Sequence, residues 1–307
     1  MEALPVQIEI VTPVHNRKSI TLQCLRSLSR IDRCGLAVHI IVVDDGSVDG
    51  TADAIERNFP DVEVIRESGN LWYAGGTNCG IRAALKRHPN YILAVNDDSI
   101  FHDSFLQRLV HCSRQNPKSV IGPLLLLWDR PHQVFQVGPC WDTWYGGWRH
   151  PMRLTPWTVP RQAFEVDLIV GNCVLYPVEA ILQVGLMKER DLPHCYADAE
   201  YTTRMRRSGW KLRIEPSAFV WCKPNNVPTS MRAMRVVTAF KELFFDQHSH
   251  RNLVNLVKSR CYTAPSGHLA AAASAIHVFR LGLHGLGLGG SWPDWPDPPF
   301  CRKPECP

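Results

Sequence analysis

A chain of 307 residues with 45% hydrophobic residues is long enough to bury a substantial core, as one large domain or two joined halves. The 34 basic and 29 acidic residues leave a formal net charge of only +5, a balance that does not favour a nucleic-acid-binding protein. The 11 cysteines are scattered through apolar runs, which argues against a disulfide framework and indicates reduced, buried thiols.

Strand and helix patterns alternate from the start of the chain to residue 127. Apolar, β-branched runs predict strands at 6–14, 38–45, 62–65, 91–95 and 120–127. The helical spacing of apolar residues predicts intervening helices at 18–30, after a cap at Asp49 or Gly50, over 81–86 and over 104–115. Strands that alternate with helices form βαβ units, so we expect an α/β fold with a mostly parallel central sheet.

Polar clusters stand at the ends of three predicted strands. They are TPVHNR (12–17), DDGSVDGT (44–51) and NDDS (96–99). In open α/β sheets, ligands bind beyond the carboxyl ends of the strands. Each cluster alone is compatible with ordinary turn chemistry. Three clusters on one edge of a sheet predict a ligand site there.

The third cluster contains two adjacent carboxylates, Asp97 and Asp98, directly after the apolar run 91–95. No cation stands beside them in the sequence, and like charges this close are costly unless a positive group comes from elsewhere in the fold. We therefore expect a positive charge to reach this strand end from elsewhere. A solvated turn is the alternative.

The glycine pattern does not match a dinucleotide or P-loop site. No G-x-G-x-x-G follows the first strand, and no G-x-x-x-x-G-K-[ST] occurs in the chain. Glycines are concentrated instead in GNLWYAGGTNCGI (69–81), before the helix predicted over 81–86. Backbone amides at such a helix start could approach an anion, and a purely structural turn is the alternative.

The four segments TPVHNR, VVDDGSVDGT, GNLWYAGGTNCGI and NDD resemble, in order and spacing, the motifs of the family-2 glycosyltransferases, which have the GT-A fold. The sequence is most similar to the bacterial rhamnosyltransferase-like branch, over about 6–225. The segment 171–185 resembles the one that precedes the catalytic loop in that branch. The stretch DAEYTTRMRRSGWKL (198–212) resembles the family's E-D-x-D-x-x-x-R-x-R-x-x-G.

This resemblance implies a metal-dependent nucleotide-sugar site. Asn96, Asp97 and Asp98 resemble the family's D-x-D, with Asn in the first place. Asp98 would bind Mg²⁺ or Mn²⁺, hard ions that prefer oxygen ligands, and Asp97 would lie nearer the ribose or sugar. The other predicted donor-binding residues are Thr12, Pro13, Arg17, Asp44, Gly76 and Asn78.

Cys222 stands where relatives often carry a histidine that completes the metal site. Thiolate is a poor ligand for Mg²⁺ and an uncommon one for Mn²⁺. Cys222 is therefore either a further metal ligand or an ordinary buried thiol.

The same resemblance implies a general base on the acceptor side. Asp198 aligns with the Asp of the family's E-D pair, whose Glu is replaced here by Ala197, and Glu200 aligns with the later acid. An inverting transferase needs a base that takes the proton of the attacking hydroxyl. We predict that Asp198 has this role and keep Glu200 as the second catalytic candidate. Both acids would alternatively complement the dipole of a helix start.

The predicted organisation is a GT-A domain over 1–230, with a Rossmann-like nucleotide-sugar half (1–127) and a mixed acceptor half (128–230). A C-terminal helical extension and Pro-rich tail follow over 231–307. The irregular segment 128–165 is rich in tryptophan and predicts either an acceptor-binding loop or a packed subdomain. Its candidate acceptor-lining residues are Trp141, Trp144 and Trp148.

The apolar stretch 267–290 is interrupted by Arg280 and by several glycines, so a transmembrane span is not expected. It would pack on the catalytic domain or make a peripheral contact with the inner face of the cell membrane. No secretory leader precedes the first strand, so we expect a cytoplasmic protein.

The resemblance predicts an inverting, metal-dependent glycosyltransferase. It is expected to be non-processive, because the Q-x-x-R-W of processive relatives does not occur. The donor would be a UDP- or dTDP-linked sugar, and the acceptor a glycan or a lipid-linked glycan of the cell envelope. Two alternatives are a sugar-phosphate nucleotidyltransferase and a non-catalytic nucleotide-sugar-binding protein. The G-x-G-x-R pattern typical of nucleotidyltransferases does not occur in this sequence. A non-catalytic binding protein is suggested by Ala197 and Cys222, which replace residues of the family's pattern.

Overall fold

The N-terminal half is a parallel sheet in this computed structural model, which describes residues 4–151, 154–223, 236–249 and 251–286. Its strands are β1 (Val6–Val14), β2 (Leu36–Asp44), β3 (Val62–Arg66) and β4 (Tyr91–Val95). They lie in the order β3-β2-β1-β4, and each neighbouring pair is parallel. The connecting helices are α1 (Lys18–Leu28), α2 (Thr51–Asn58) and α3 (Trp72–Leu85). The predicted α/β alternation is confirmed.

The second half extends the same sheet. Its elements are β5 (Ser99–Phe101), α4 (Phe105–Gln115), β6 (Ser119–Leu127), β7 (Val134–Gln136), β8 (Cys140–Asp142), β9 (Gly147–Arg149), β10 (Phe164–Glu165), β11 (Cys173–Pro177), α5 (Val178–Val184), α6 (Ala197–Arg207) and β12 (Lys211–Cys222). β11 lies antiparallel between β4 and β6, and the full order is β10-β12-β6-β11-β4-β1-β2-β3. The two predicted halves of the GT-A domain therefore share one sheet, while their exact boundaries stay a prediction.

The central strands are buried on both faces. All nine residues of β6 are buried, and Ile8, Ile10 and Val11 of β1 have no solvent exposure. Helices cover both sides of this part of the sheet, which explains why its strands read as continuous apolar runs and not as an alternating pattern.

Helix α3 begins at Trp72, about nine residues before the predicted start at 81. The Asp45 carboxylate accepts hydrogen bonds from the backbone N–H groups of Leu71 and Trp72 at 2.9 Å each, so it caps the helix from another loop. Two glycines inside α3 allow close packing on β1. A Cβ atom on Gly80 would lie 2.2 Å from Cγ1 of Val11, and one on Gly76 would lie 2.8 Å from Cβ of Pro13. The expectation of a glycine-rich turn was wrong because these glycines serve helix-to-sheet contact.

Among the described residues, three helices follow the sheet: α7 (Val236–Phe244), α8 (Leu253–Thr263) and α9 (Gly267–Leu286). Arg207 of α6 donates hydrogen bonds to the carbonyl oxygens of Tyr262 and Ala264, which attaches the end of α8 to α6. Among the described helices, none combines the length and hydrophobicity needed to cross a bilayer. The Pro-rich tail predicted at the end of the chain lies outside the described residues.

Candidate active site

A cavity of about 770 Å³ opens at the carboxyl ends of β1 and β4. Its far wall comes from α6, the segment around β8 and β9, and the C-terminal helices. Five of the predicted site residues line this cavity, namely Pro13, Arg17, Asp97, Asp98 and Asp198. The structure thus brings together residues that lie up to about 185 positions apart in the sequence.

The cation that the two adjacent carboxylates require is Arg17, from the loop that follows β1. Its Nη1 lies 2.9 Å from Oδ1 of Asp97, and its Nη2 lies 2.9 Å from Oδ2 of Asp98. Both carboxylates are buried, whereas the Arg17 side chain is 39% exposed. Arg17 therefore bridges the pair and offsets part of the repulsion between them.

Asp97 is held in a fixed orientation by two partners. Besides the ion pair with Arg17, its Oδ2 accepts a 2.7 Å hydrogen bond from the Thr21 hydroxyl. The pKa of Asp97 is raised to about 6: burial is the largest cause, Arg17 and Thr21 oppose it, and the neighbouring Asp98 adds to it. The desolvation of the carboxylate therefore outweighs its pairing with Arg17.

Asp98 keeps one oxygen without a partner. Its Oδ1 is buried and makes no hydrogen bond within the described residues. An unsatisfied buried carboxylate oxygen at the edge of a cavity suits a divalent cation, since Mg²⁺ is commonly bound by one or two carboxylates together with substrate phosphates. In the described part of the chain, no group of three or more His, Cys, Asp or Glu side chains is arranged to hold an ion.

Cys222 does not reach the cavity. It is fully buried at the end of β12, and its Sγ lies 3.7 Å from Oγ of Ser99 on the neighbouring strand. Burial raises the pKa of the Cys222 thiol to about 12, so it is protonated at neutral pH. The geometry favours the buried-thiol interpretation over a metal ligand, because metals bind the thiolate form.

Asp198 lies in the first turn of α6 and lines the same cavity as Asp98. Its Oδ2 accepts a 2.6 Å hydrogen bond from the backbone N–H of Gly171. A Cβ atom on Gly171 would lie 2.5 Å from the Tyr73 hydroxyl and 2.7 Å from Cβ of Asp198. Only glycine fits at position 171, so the loop before β11 fixes the carboxylate of Asp198.

Glu200 has a different environment on the same helix. It is 3% exposed, and its two oxygens accept hydrogen bonds of 2.7 Å and 3.0 Å from Nε and Nη2 of Arg204. Arg204 in turn donates to the carbonyl oxygens of Val184 and Leu186. Glu200 therefore belongs to a buried network between α5 and α6 and does not line the cavity, which favours Asp198 as the acid that meets an acceptor.

Four predicted donor-binding residues lie behind the cavity wall. Thr12 is fully buried, and Oδ1 of Asp44 accepts a 2.8 Å hydrogen bond from the backbone N–H of Ser47. Gly76 packs on Pro13, as described above. Asn78 exchanges hydrogen bonds of 2.9 Å with the backbone of Met187 and donates to Glu189. These contacts brace the loops that carry the cavity residues.

The aromatic residues at the cavity were only partly expected. Trp148 lines the cavity. The ring of Trp141 contacts the ring of Trp148 edge to face, with 5.6 Å between the centroids, and Trp144 is 72% exposed. Trp72 stacks against His248 at 4.4 Å, and His194 completes this aromatic cluster. The two histidines lie far apart in the sequence, so no local pattern could have indicated them.

Arg260 of α8 is a further cavity residue that the sequence did not indicate. It is 7% exposed, and burial lowers its pKa to about 10. Its Nη1 is buried without a hydrogen-bond partner within the described residues. The C-terminal extension thus contributes charge to the site and not only a packing surface.

Comparisons with known proteins agree with this geometry. The family described as Glycosyl transferase family 2 matches residues 9–130. The N-acetylglucosaminyl-diphospho-decaprenol L-rhamnosyltransferase of Mycobacterium tuberculosis (strain CDC 1551 / Oshkosh) is 26% identical over 210 residues, which cover 60% of this chain and 66% of the relative. The dTDP-rhamnosyl transferase of Shigella flexneri is 24% identical over 179 residues, which cover 58% of this chain and 57% of the relative. The chain thus spans less than two thirds of the length of these curated relatives.

Solved structures share the fold at low sequence identity. GalNAc-T7 with UDP, GalNAc and Mn²⁺ superposes with a TM-score of 0.60 at 15% identity, over 90% of this chain and 55% of that chain. The mannosyltransferase of Pyrobaculum calidifontis with GDP-Man and Mn²⁺ has a TM-score of 0.54 at 14% identity, over 93% of this chain and 76% of that chain. These likenesses show that residues 9–130 match the model of glycosyltransferase family 2, and that the chain shares the GT-A fold of the solved glycosyltransferases.

Proposed function

We propose that the protein is an inverting, metal-dependent, non-processive glycosyltransferase. It would move a sugar from a nucleoside-diphosphate donor to a hydroxyl group of a glycan or lipid-linked glycan. The observation that carries this proposal is the meeting of two kinds of acid in one cavity: the buried pair Asp97 and Asp98 at the strand ends, and Asp198 on α6. One group suits a charged donor and the other suits an acceptor hydroxyl.

The donor would be a UDP- or dTDP-linked sugar. This choice is supported by the dTDP-rhamnosyl transferase relative and by the UDP in the structure of GalNAc-T7. The decaprenol-linked acceptor named for the mycobacterial relative supports a lipid-linked acceptor and a role in cell-envelope polysaccharide synthesis. The exposed Phe240, Phe244 and Phe245 of the α7 region support a peripheral contact with the inner face of the membrane.

At the donor side, Asp98 would hold Mg²⁺ or Mn²⁺ through its unpartnered Oδ1. The bound ion would supply neutralisation of the diphosphate leaving group. Arg17 keeps the carboxylates of Asp97 and Asp98 oriented, and Pro13 forms part of the donor wall. The remaining predicted donor residues (Thr12, Asp44, Gly76 and Asn78) would act from behind that wall.

At the acceptor side, Asp198 would act as the general base. The acceptor oxygen attacks the anomeric carbon, the bond from that carbon to the diphosphate oxygen breaks, and the hydroxyl proton passes to the Asp198 carboxylate. A single displacement of this kind inverts the anomeric configuration. The hydrogen bond from the Gly171 N–H fixes the carboxylate for this step, and Glu200 would position α6 through Arg204.

A thermal-shift titration with UDP- and dTDP-linked sugars, with and without Mn²⁺, tests the donor assignment, because ligands that bind only the folded state raise its stability. We expect a larger shift with Mn²⁺ and a loss of that difference in Asp98→Ala. The matched control is Asp53→Ala, a 62% exposed acid on α2 that pairs with Arg66. Release of nucleoside diphosphate supports glycosyl transfer, whereas release of pyrophosphate from a sugar phosphate and a nucleoside triphosphate would show a nucleotidyltransferase.

A further inference from the structure

Arg260 is a buried cation whose Nη1 makes no hydrogen bond within the described residues. It has no ion pair among those residues, although it is only 7% exposed. Arginine is almost never fully buried unless it is paired, because removing its charge from water is costly. Such a residue suggests a partner that arrives with a ligand.

The guanidinium is held in place by its surroundings. A Cβ atom on Gly147 would lie 2.8 Å from Nε of Arg260, so the β9 backbone packs directly on the arginine. Trp148 donates a 2.9 Å hydrogen bond to Thr263 on the same helix, and Arg207 attaches the helix end to α6. Arg260 therefore faces the cavity from a braced helix.

Two titratable side chains of the described residues interact with the charge of Arg260, namely Tyr196 and His277, and neither is negative. Burial raises the pKa of the Tyr196 hydroxyl, and burial followed by the charges of Arg260 and Arg280 lowers the pKa of His277 to about 4. Both side chains are therefore neutral at neutral pH, and Arg260 keeps its full charge for a ligand.

We propose that Arg260 binds a phosphate group of the acceptor, an inference that rests on the proposed glycosyl transfer. A guanidinium presents its N–H groups as a planar fork that matches two phosphate oxygens. The position of Arg260 favours the acceptor over the donor, since Arg260 lies beside Tyr196, two residues before Asp198. The acids of the donor side already have Arg17 as their cation.

The consequence is selection for acceptors that carry phosphate close to the sugar. A phosphate-free glycan would leave Arg260 buried and unpaired in the complex, whereas a phosphorylated acceptor would remove that cost. Both a lipid-linked diphosphate and a phosphorylated glycan contain the required group.

The first experiment measures binding of inorganic pyrophosphate by calorimetry to protein that is saturated with Mn²⁺ and with UDP or dTDP, so that the donor side is occupied. The variants are Arg260→Met, Arg260→Lys and the control Lys258→Met. Lys258 lies on the same helix, and its Nζ donates to the carbonyl oxygen of Asp191 outside the cavity lining. We expect pyrophosphate affinity to fall about 10-fold or more in Arg260→Met, less in Arg260→Lys, and not in Lys258→Met.

Two results would overturn the proposal. One is unchanged pyrophosphate affinity in Arg260→Met. The other is a loss of UDP or dTDP affinity in Arg260→Met as large as the loss of pyrophosphate affinity, which would assign Arg260 to the donor. Failure of the wild-type protein to bind any nucleotide, with Arg260-dependent pyrophosphate binding intact, would contradict the proposed glycosyl transfer and leave the anion site standing.

Two further probes distinguish the sources of the phosphate. Geranyl diphosphate represents a lipid-linked acceptor, and N-acetylglucosamine 1-phosphate represents a phosphorylated glycan without lipid. Tighter binding of geranyl diphosphate than of pyrophosphate supports the lipid source, and tighter binding of the sugar phosphate supports the glycan source. In both cases the binding must weaken in Arg260→Met, and binding that is independent of Arg260 contradicts the proposal.

The melting temperature of Arg260→Met distinguishes a binding role of Arg260 from a structural one, because the two roles predict changes in opposite directions. Arg260→Met removes an uncompensated buried charge and keeps most of the side-chain volume, so we expect a melting temperature equal to or above that of the wild type. A fall larger than that of Lys258→Met would show that Arg260 is a packing residue. Arg260→Lys keeps the binding assay informative if Arg260→Met does not fold.

Discussion

The two sides of the cavity hold their charges in opposite ways. On the donor side, Asp97 and Asp98 are buried together with a resident cation, Arg17, at 2.9 Å from each carboxylate. On the acceptor side, Arg260 is buried without an anion among the described residues. The pair on the donor side is thus compensated in part before any ligand binds, whereas Arg260 has no ion-pair partner among the described residues. The comparison leads us to expect a cation at the unpartnered Oδ1 of Asp98 and an anion at the unpartnered Nη1 of Arg260.

The largest expected effect separates the acceptor chemistry from donor binding. Asp198→Asn keeps the size of the side chain and should leave donor affinity unchanged, because the donor is held at the strand ends. Transfer should fall by roughly 10²–10⁴-fold, the usual contribution of a positioned base. The measurement is nucleotide release together with glycan product, with the acceptor present.

Glu200→Gln is the control for this variant on the same helix. Its loss of transfer should be smaller, because Glu200 is bonded to Arg204 and does not line the cavity. A larger loss of transfer in Glu200→Gln than in Asp198→Asn would assign the role of base to Glu200.

The second effect concerns how completely Arg17 compensates the donor side. The pKa of Asp97 in the folded state is about 6, above its usual value of 3.8, so the folded protein favours the protonated acid. This contribution to stability is present below about pH 4 and is lost as the pH rises through 6. Wild-type protein should therefore lose up to about 3 kcal/mol of unfolding free energy relative to Asp97→Asn between pH 4 and pH 7.

Urea unfolding of the two proteins at several pH values gives this difference. Curves that stay parallel from pH 4 to pH 7 would mean that Arg17 compensates Asp97 fully. A wild-type protein that gains stability relative to Asp97→Asn over this range would show that pairing outweighs burial, contrary to the expected direction.

The third effect tests whether Asp98 binds the metal on the donor side. Asp98→Ala removes the unpartnered Oδ1, so we expect the Mn²⁺-dependent part of nucleotide affinity to fall about 10–100-fold or more. The fold should persist, because the change also removes one of two adjacent like charges. Calorimetric titration of UDP with and without Mn²⁺ measures both quantities, and an unchanged Mn²⁺ dependence would contradict the metal assignment.

The smallest effect is expected at Cys222. Cys222→Ala should leave Mn²⁺-dependent nucleotide affinity unchanged, because the thiol faces Ser99 inside the core. The loss of a buried sulfur should cost about 1 kcal/mol of unfolding free energy. A clear fall in metal-dependent affinity at unchanged stability would bring Cys222 back as a ligand.

The same contrast between the two sides explains what could be predicted. The residues of the donor side form contiguous stretches of sequence that follow apolar strands. Local patterns therefore predicted these strands and the cluster at Asp97 and Asp98. The start of α3 was missed because its cap, the Asp45 carboxylate, lies 27 residues before Trp72. Glycine-rich sequence reads as a turn unless close contact with a neighbouring strand is known.

The sequence by itself determined the alternation of strands and helices, the edge of the sheet where the cavity opens, and, through the family resemblance, Asp98 and Asp198 as candidate site residues. Side-chain periodicity and strand-end polarity are local properties, so they can be read along the chain. Only the tertiary structure decided that Arg17 bridges the two carboxylates and that Arg260 faces the cavity. It also decided that Glu200 and Asn78 form hydrogen bonds within the protein. Burial and pairing depend on which distant segments meet, and those contacts form only when the sheet and its C-terminal helices pack together.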